Sequence, residues 1–360
     1  MKRNMKRILA VAALIALLFS CGACSLNEVS VKYKEVEGGL AVTSYTDKTM
    51  ITEFAVPDEV NGVPVVAIND FGLCNAESLT KITIGKNVKE LGTWALTNNQ
   101  HVTEYVVDPA NEYFCSVDGV LFTKDMKTLC FYPSGRNIEF DKYGTALNTT
   151  EYAIPDGVET ISGSAFRYCT ALTGITIPAS VKTVEQRAFE NCTSLATLDV
   201  SDGTVVEEGA VRNCIAMADA DGFIVIGDVL HQYVGSDANV TVPAGVTRIG
   251  GTAFASHNSL PSPLGEYPPL VSVTLPDSVT SIGAMAFAFC TELEKVTFPA
   301  NMPSVESGAF GLCVKLADED GFIIIGGVLH SYVGTASAVT IPDGVTSIAP
   351  MSFITYTGIP

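Results

Sequence analysis

The sequence predicts a repeat solenoid, because short blocks of the chain repeat one apolar pattern at a fixed spacing. The pair Ala165-Phe166 recurs as Ala188-Phe189, 23 residues later, and the proline and apolar positions between the pairs recur with them. A unit this short cannot bury an apolar face alone, so its copies must stack on one another. We therefore expect a superhelix of about nine units of 23 residues.

Each unit contains two extended pieces on opposite sides of the coil. The alternation at Ile175 and Ile177 has the strand period of two. Pro178 ends this strand because proline offers no donor to a ladder, and a second short strand follows between Val181 and Val184. The pattern predicts a parallel β-sheet on the concave face of the superhelix and short strands or helical turns on the convex side.

The inward positions of the coil are a phenylalanine and, three residues after it or its replacement, a cysteine. The predicted core columns are Phe166, Phe189, Phe254, Phe287, Phe310, Phe353, Cys74, Cys169, Cys192, Cys214, Cys290 and Cys313. The thiols either pack in the interior or carry metal or redox chemistry. One cysteine per coil at a constant place is what packing produces, so we expect reduced, buried thiols and no metal or cofactor.

The N-terminal segment has the features of a secretory signal. Four basic residues precede an apolar run from Ile8 to Phe19, which is shorter than an ordinary membrane-spanning helix. The residues before Cys21 resemble a bacterial lipobox, and Cys24 is a second candidate for lipidation. We expect residues 1–20 to be the signal peptide and lipid on Cys21 to hold the protein at the membrane or cell surface; ordinary signal cleavage is the alternative.

The charge of the processed chain excludes some partners. Removal of residues 1–20 removes four basic residues and no acidic one, which leaves 17 basic against 39 acidic residues. An excess of negative charge disfavours binding to nucleic acid or to an anionic bilayer surface. Any attachment to the membrane is therefore expected to come from the N-terminal lipid alone.

Irregular segments divide the rest of the chain. We expect a linker at 21–30, a β-hairpin cap at 31–56 with its turn at Gly38-Gly39, and the solenoid at 57–360. Insertions of β-hairpins are predicted near 108–140, 219–238 and 318–338, and a Pro-rich loop at 260–269. The first insertion is expected to leave the solenoid as a three-stranded meander, in which Cys115 faces Phe122 and Cys130 faces Leu121.

The outward positions of the concave sheet are the candidate binding surface, since side chains on a strand alternate between faces; the inserted hairpins are the alternative. These candidates are Thr173, Thr176, Thr197, Asp199, Ser272, Thr274, Glu294, Lys295 and Thr297. Most are small or hydroxylated, which favours a protein partner over a glycan, because sugar sites usually need aromatic platforms. The sequence contains no G-x-S-x-G or H-E-x-x-H motif, so an enzyme is the third hypothesis.

The repeated pattern resembles a known family. L-x-x-I-x-I-P-x-x-V-x-x-I-x-x-x-A-F-x-x-C, present at 172–192 and again at 270–290, is similar to the BspA-like bacterial leucine-rich repeats. The resemblance covers about residues 31–356. It implies a leucine-rich repeat solenoid, secreted or on a bacterial surface, that acts in adhesion or recognition of host or neighbouring-cell proteins, and it supplies no catalytic residues.

Overall fold

A computed structural model describes residues 29–47, 50–142, 145–255 and 268–353. The chain divides into two compact units, Met1–Thr150 with Pro155–Cys169 (unit 1) and Glu151–Ile154 with Thr170–Pro360 (unit 2). In each unit, strands from successive coils pair in parallel, which confirms the predicted solenoid. The signal peptide, Cys21, Cys24, the linker after them and most of the loop at 260–269 lie outside the described residues.

The secondary structure consists almost entirely of short strands. Up to Ile161 they are β1 (Val29–Val36), β2 (Gly39–Asp47), β3 (Glu53–Ala55), β4 (Glu59–Val60), β5 (Val63–Ile68), β6 (Lys81–Ile84), β7 (Glu90–Leu91), β8 (Glu104–Val107), β9 (Phe114–Val117), β10 (Val120–Thr123), β11 (Thr128–Phe131), β12 (Thr150–Ala153) and β13 (Thr160–Ile161). From Leu172 they are β14 (Leu172–Thr176), β15 (Thr183–Val184), β16 (Val205–Val206), β17 (Phe223–Ile226), β18 (Val229–Tyr233), β19 (Asn239–Thr241), β20 (Arg248–Ile249), β21 (Ser272–Thr274), β22 (Ser281–Ile282), β23 (Lys295–Thr297), β24 (Ser304–Val305), β25 (Phe322–Ile325), β26 (Val328–Tyr332) and β27 (Ser347–Ile348). Helical structure in the described residues is confined to two 3₁₀ turns, Ile215–Met217 and Val314–Leu316.

The first extended piece of each coil builds what we call the front ladder. In unit 1 it consists of β3, β6 and β8, and in unit 2 it includes β19, β21 and β23. The burial pattern alternates as the period of two predicts: in β6, Ile82 and Ile84 are buried while Lys81 and Thr83 are partly exposed. The outward residues of successive coils therefore stand side by side.

The second extended piece builds a back ladder of two-residue strands. In unit 2, β20, β22 and β24 pair in parallel through Arg248, Ser281 and Ser304 and through the residue after each. These strands are short because the repeat offers only one buried residue here, as Ile282 shows beside the partly exposed Ser281.

Antiparallel hairpins open the back ladders, and they do not leave the solenoid as predicted for the first insertion. The last strand of the meander, β11, pairs in parallel with β13 of the next coil. The two later hairpins behave in the same way: β18 pairs with β20, and β26 pairs with β27. Even the N-terminal hairpin of β1 and β2 continues in parallel into β5. Each hairpin thus supplies a strand to which the next coil pairs in parallel.

The hairpin turns lie close to the predicted dipeptides. Val117 pairs with Val120, so the turn is Asp118-Gly119 as predicted, and Cys115 faces Phe122. The first hairpin differs: Val36 pairs with Gly39, so its turn is Glu37-Gly38, one residue earlier than expected.

Cys130 does not face Leu121. A bulge shifts the register of β10 and β11, so that Leu121 pairs with Phe131 instead. On its other edge, β11 pairs in parallel with β13. No disulfide joins Cys115 and Cys130.

An inward column of large side chains forms the core of each unit. In unit 2, the Phe254 and Phe287 rings stack with centroids 4.8 Å apart, and Phe287 and Phe310 are 5.1 Å apart. Phe166, Phe189 and these three rings are fully buried. A backbone bond fixes the stack, because Phe254 N–H donates to the Ala286 carbonyl of the next coil at 2.8 Å.

The hairpin coils contribute tyrosines to this column, which the sequence pattern did not predict. Tyr233 donates its N–H to the Ala253 carbonyl, as the phenylalanines do, and its ring lies 5.6 Å from that of Phe254. In unit 1, Tyr132 stacks on Phe166 at 5.0 Å. The column therefore continues through the insertions.

The prediction that Cys74 belongs to the buried cysteine column was wrong. It rested on aligning Phe71 with the inward phenylalanines, yet Phe71 is 50% exposed. The inward residue of this coil is Leu73, whose N–H donates to the Ala95 carbonyl at 2.9 Å. Counting from Leu73, the cysteine place belongs to the buried Ala76, and Cys74 is only partly buried.

Phe353 also departs from the expected core. It is 43% exposed, although its ring contacts Tyr332 with centroids 5.7 Å apart. Phe310, by contrast, has aromatic neighbours on more than one side, including Phe287 and Phe298. Within the described residues, no later coil covers the far side of Phe353.

Candidate recognition surface

The cysteine column makes directed hydrogen bonds as well as packing contacts. The thiol of Cys313 donates to the Phe287 carbonyl of the preceding coil, with sulfur and oxygen 3.1 Å apart. Cys290 and Cys214 bond in the same way to the coils before them, at 3.3 and 3.1 Å. Cys169 and Cys192 are buried as well. Burial raises the pKa of the Cys290 thiol to about 12, so this sulfur is a poor nucleophile at neutral pH.

Asn99 takes the cysteine place in unit 1 and makes a fuller network there. Its amide nitrogen donates to the carbonyls of Leu73 at 2.8 Å and Leu96 at 3.0 Å. Its side-chain oxygen accepts the N–H of Ala76 at 2.9 Å. Whether it is cysteine or asparagine, the residue in this column therefore connects neighbouring coils: its side chain donates a hydrogen bond to the carbonyl of an inward residue.

The front ladder of unit 2 places the predicted binding residues in straight rows. Thr274 pairs with Thr241 on one side and Thr297 on the other, and all three side chains are exposed. The neighbouring row contains Ser272 and the exposed Lys295. Ser272 is partly buried, and its hydroxyl donates to Oδ1 of Asn239 at 2.7 Å. The face presents hydroxyl and amide groups together with the ammonium group of Lys295.

Ionic contacts extend one edge of this array. Glu294, which is exposed next to Lys295 in the chain, lies 3.3 Å from the ammonium of Lys315. Glu292 contacts the same ammonium at 2.7 Å. The hydrogen bond to Glu292, and to a smaller extent the one to Glu294, raises the pKa of Lys315 above its usual value.

The remaining predicted residues lie on less regular backbone. Thr176 is exposed at the end of β14, whereas Thr173 is partly buried. Thr197 and Asp199 are exposed, but the expected front strand does not form there. The preceding Ala196 donates its N–H to the Thr173 carbonyl at the long distance of 3.3 Å. The regular rows are therefore those around Thr274.

The front face of unit 1 has a different chemistry. Lys81 pairs with Glu53 and Glu104 across the ladder, and its ammonium lies 4.0 and 3.4 Å from their carboxylates. These are solvated surface pairs, which contribute little to stability. A row of three charged residues thus stands in unit 1 where unit 2 has Asn239, Ser272 and Lys295.

Two acidic turns shape the hairpins of unit 2. Oδ1 of Asp219 accepts the backbone N–H groups of Asp221 and Phe223, at 3.0 and 2.8 Å. Asp318 accepts two N–H groups in the same way before β25. The sequence signal was the motif D-x-D-G-F, which occurs at 219–223 and again at 318–322. Its first aspartate is a short acidic side chain that stabilises the turn.

The histidines of the hairpins are buried and neutral. His231 is 5% exposed, and burial, with Arg248 nearby, lowers its pKa to about 4, although Glu208 opposes the shift. Burial also lowers the pKa of His330. In the described part of the chain, Nδ1 of each ring has no hydrogen-bond partner. Both positions therefore disfavour the protonated state.

The described residues contain no group of three or more His, Cys, Asp or Glu side chains placed to hold a metal ion. Over the same residues, no helix combines the length and apolar character needed to cross a membrane. What the arrangement offers chemically is an extended, largely polar surface on a rigid frame, which suits recognition.

Comparison with known sequence families identifies the repeat. The family model described as "BspA type Leucine rich repeat region" matches residues 42–116, 136–261 and 266–359 in six copies. None of the curated proteins matches this chain.

The solved structures that resemble this chain include leucine-rich repeat proteins of several bacteria. A leucine-rich cell surface protein from Faecalibacterium prausnitzii is 22% identical, with a TM-score of 0.37, over 92% of this chain and 86% of that one. A leucine-rich repeat protein from Eubacterium ventriosum is 15% identical, with a TM-score of 0.33, over 91% of each chain. One from Bacteroides ovatus is 15% identical, with a TM-score of 0.34, over 82% and 93% of the two chains.

Proposed function

The chain belongs to the BspA-type leucine-rich repeat family, and we propose that it is a non-enzymatic surface lipoprotein that binds a protein of a host or of a neighbouring cell. The observation that carries this proposal is the row of exposed side chains on the front ladder of unit 2. Solenoids use such extended ladders as binding surfaces. The binding row consists of Thr241, Thr274 and Thr297, with Ser272 and Lys295 beside it.

The composition of this face favours a folded protein partner. Parallel strands hold the outward residues at spacings of about 4.8 Å, so a partner meets a regular grid of donors and acceptors. Hydroxyl groups on strands lose little side-chain freedom when they are bound. Adhesion is the role that fits a surface of this kind on an anchored protein.

A binding assay with matched variants tests the proposed surface. The full chain would be tested by surface plasmon resonance against a panel of purified host extracellular-matrix and cell-surface proteins. Thr274→Arg places a large cation in the centre of the row and should weaken a real interaction at least tenfold. Ser304→Arg, on the back ladder of the same unit, should leave binding unchanged. Equal effects of the two variants would remove the front face from the proposal.

Anchoring by lipid is a separate part of the proposal. It is supported by the apolar run before Cys21 and the lipobox-like residues that precede this cysteine. Cys21→Ala should move the protein from the membrane fraction to the medium or periplasm. If Cys24→Ala alone does so, the lipid is on Cys24; if neither does, the segment is an ordinary signal.

A further inference from the structure

An exposed aromatic pair on unit 1 stands apart from the front ladder. Phe71 and Trp94 are one period of 23 residues apart in the sequence, and their rings contact each other with centroids 5.0 Å apart and planes tilted by 35°. Phe71 is 50% exposed, and Trp94 is partly exposed. The pair therefore presents a two-ring apolar platform on the outside of two neighbouring coils.

The fold does not require aromatic residues at this place. In each coil a small residue precedes the inward residue, and Phe71 and Trp94 each lie just before that small residue. In other coils the same position is taken by Ser164, Arg187, Gly209, Thr252, Met285, Gly308 and Met351. The backbone there is left-handed in most coils, with φ of 61° at Phe71 and 73° at Gly209. Glycine suits that conformation best, and a bulky aromatic suits it poorly.

Hydrogen bonds from the backbone N–H groups hold Phe71 and Trp94 in position. Phe71 N–H donates to the Trp94 carbonyl at 3.3 Å, and Trp94 N–H donates to Oδ1 of Asp70 at 3.2 Å. Gly92 makes this approach possible, because a Cβ atom there would lie 2.4 Å from the Asp70 nitrogen. A platform fixed in this way loses little freedom when a ligand stacks on it.

A polar depression adjoins the platform. It has a volume of about 640 Å³, and the side chains that line it include Asn69, Asp70, Lys89 and Glu90. Asp70 belongs to both features, since it lines the depression and accepts the Trp94 N–H. The site therefore combines an apolar stacking surface with donors and acceptors of several kinds.

We propose that Phe71, Trp94 and the adjoining depression bind a neutral carbohydrate chain. A pyranose ring offers the matching chemistry, because its C–H face stacks on aromatic rings while its hydroxyl groups both donate and accept hydrogen bonds. Carboxylates such as Asp70 and Glu90 accept from hydroxyls, and Lys89 donates to them. The acidic net charge of the chain disfavours anionic polysaccharides. This site goes beyond the protein-binding function proposed above and uses none of its residues.

The single tryptophan of the chain makes the proposal directly testable, since all tryptophan emission comes from Trp94. The full chain would be run in native gels containing starch, xylan, β-1,3-glucan or mannan, with heparin as the anionic comparison. At least one neutral polysaccharide should retard the protein, and its soluble oligosaccharides should shift the Trp94 emission. Retardation by heparin alone, or by no polysaccharide, would overturn the proposal.

Variants then assign the binding to this site. Phe71→Ala should weaken binding at least tenfold, whereas Phe71→Tyr keeps an aromatic ring and should bind as the unsubstituted chain does. Met285→Ala, at the equivalent position in unit 2, should leave binding unchanged. Lys89→Ala changes only the lining of the depression and should weaken binding severalfold, which keeps the test valid if Phe71→Ala unfolds. Binding that survives both Phe71→Ala and Lys89→Ala would contradict the proposal.

Discussion

Units 1 and 2 build the same coil with different inward residues. Unit 2 fills the column with the stacked rings of Phe254, Phe287 and Phe310. The first coils of unit 1 use Leu73 and Leu96, and Asn99 supplies the side-chain bonds that cysteines supply in unit 2. The backbone bond between coils is nevertheless the same, from Leu73 N–H to the Ala95 carbonyl in one unit and from Phe254 N–H to the Ala286 carbonyl in the other.

This comparison separates what the fold needs from what it tolerates. The residue after the outward position is small in both units, because it is fully buried, as at Ala95 and Ala286, and a larger side chain would not fit there. The inward residue must only be large enough to fill the core. The residue in the cysteine column must only donate a hydrogen bond to a buried carbonyl. The outward position has neither constraint, so aromatic residues there in unit 1 call for a reason outside the fold. The predictions below test this separation.

The largest effect should come from the aromatic column of unit 2. Phe287→Ala removes a ring stacked on both sides and should lower the free energy of unfolding by about 3 to 5 kcal/mol. In a stacked array the loss is local before it spreads. Hydrogen exchange should therefore show opening of the coils around 254–313 first. Phe287→Leu, which installs the residue type of unit 1, should cost less than half as much; equal costs would show that stacking, and not volume, is what the column needs.

Acid should destabilise unit 2 through its buried histidine. The pKa of His231 is about 4 in the folded protein, against an ordinary value of 6.5, so between these pH values only the unfolded chain binds the proton. The free energy of unfolding of unit 2 should therefore fall as the pH drops from 6.5 to 4, by about 3 kcal/mol in total.

The equivalent place in unit 1 holds Cys130, which gains no positive charge in acid. Hydrogen exchange at pH 7 and pH 4.5 would compare the two units. His231→Leu should reduce the acid sensitivity of the coils around 223–254. If this variant responds to pH as the unsubstituted chain does, the carboxylates near His231, such as Glu208, control the transition instead.

The asparagine of unit 1 should be worth about 2 kcal/mol. Asn99→Ala removes the side-chain partner of the Leu73 carbonyl and of the Ala76 N–H. The Leu96 carbonyl keeps only the long bond from the Tyr105 hydroxyl, at 3.4 Å. Asn99→Cys installs the residue type of unit 2 and should recover part of the loss through a thiol bond to the Leu73 carbonyl. Urea denaturation followed by Trp94 emission reports on this unit. A cysteine variant no better than alanine would mean that the two units do not share this device.

The repeat predicted the frame but not all of its register. Turn dipeptides such as Asp118-Gly119 could be predicted because the backbone conformation of the turn restricts the residue types. Tyr233 was missed because it precedes Phe254 by 21 residues and not 23, since the hairpin shortens the path to the next front strand. Phe71 was misplaced because a phenylalanine is the obvious marker of the column; only the bond from Leu73 to Ala95 reveals the shift.

The candidate surfaces were predictable to different degrees. The period of two located Thr274 and its neighbours on the outward face, because alternation on a strand is fixed geometry. It could not establish whether a strand forms, and at Thr197 none does. The aromatic pair carried a usable signal, the 23-residue spacing from Phe71 to Trp94, which alignment on Leu73 and Leu96 would have shown to point outward.

The smallest effect on stability should come from the front row of unit 2. Thr274 is exposed between Thr241 and Thr297, and its side chain lies outside the core. Thr274→Ala should change the free energy of unfolding by no more than about 0.5 kcal/mol. Thr274→Val keeps the β-branched shape and should be neutral as well. Thermal unfolding of the two variants beside Phe287→Ala checks the assignment of inside and outside: a loss at Thr274 comparable to that at Phe287 would show that this row packs against something, and a free recognition face in unit 2 would be untenable.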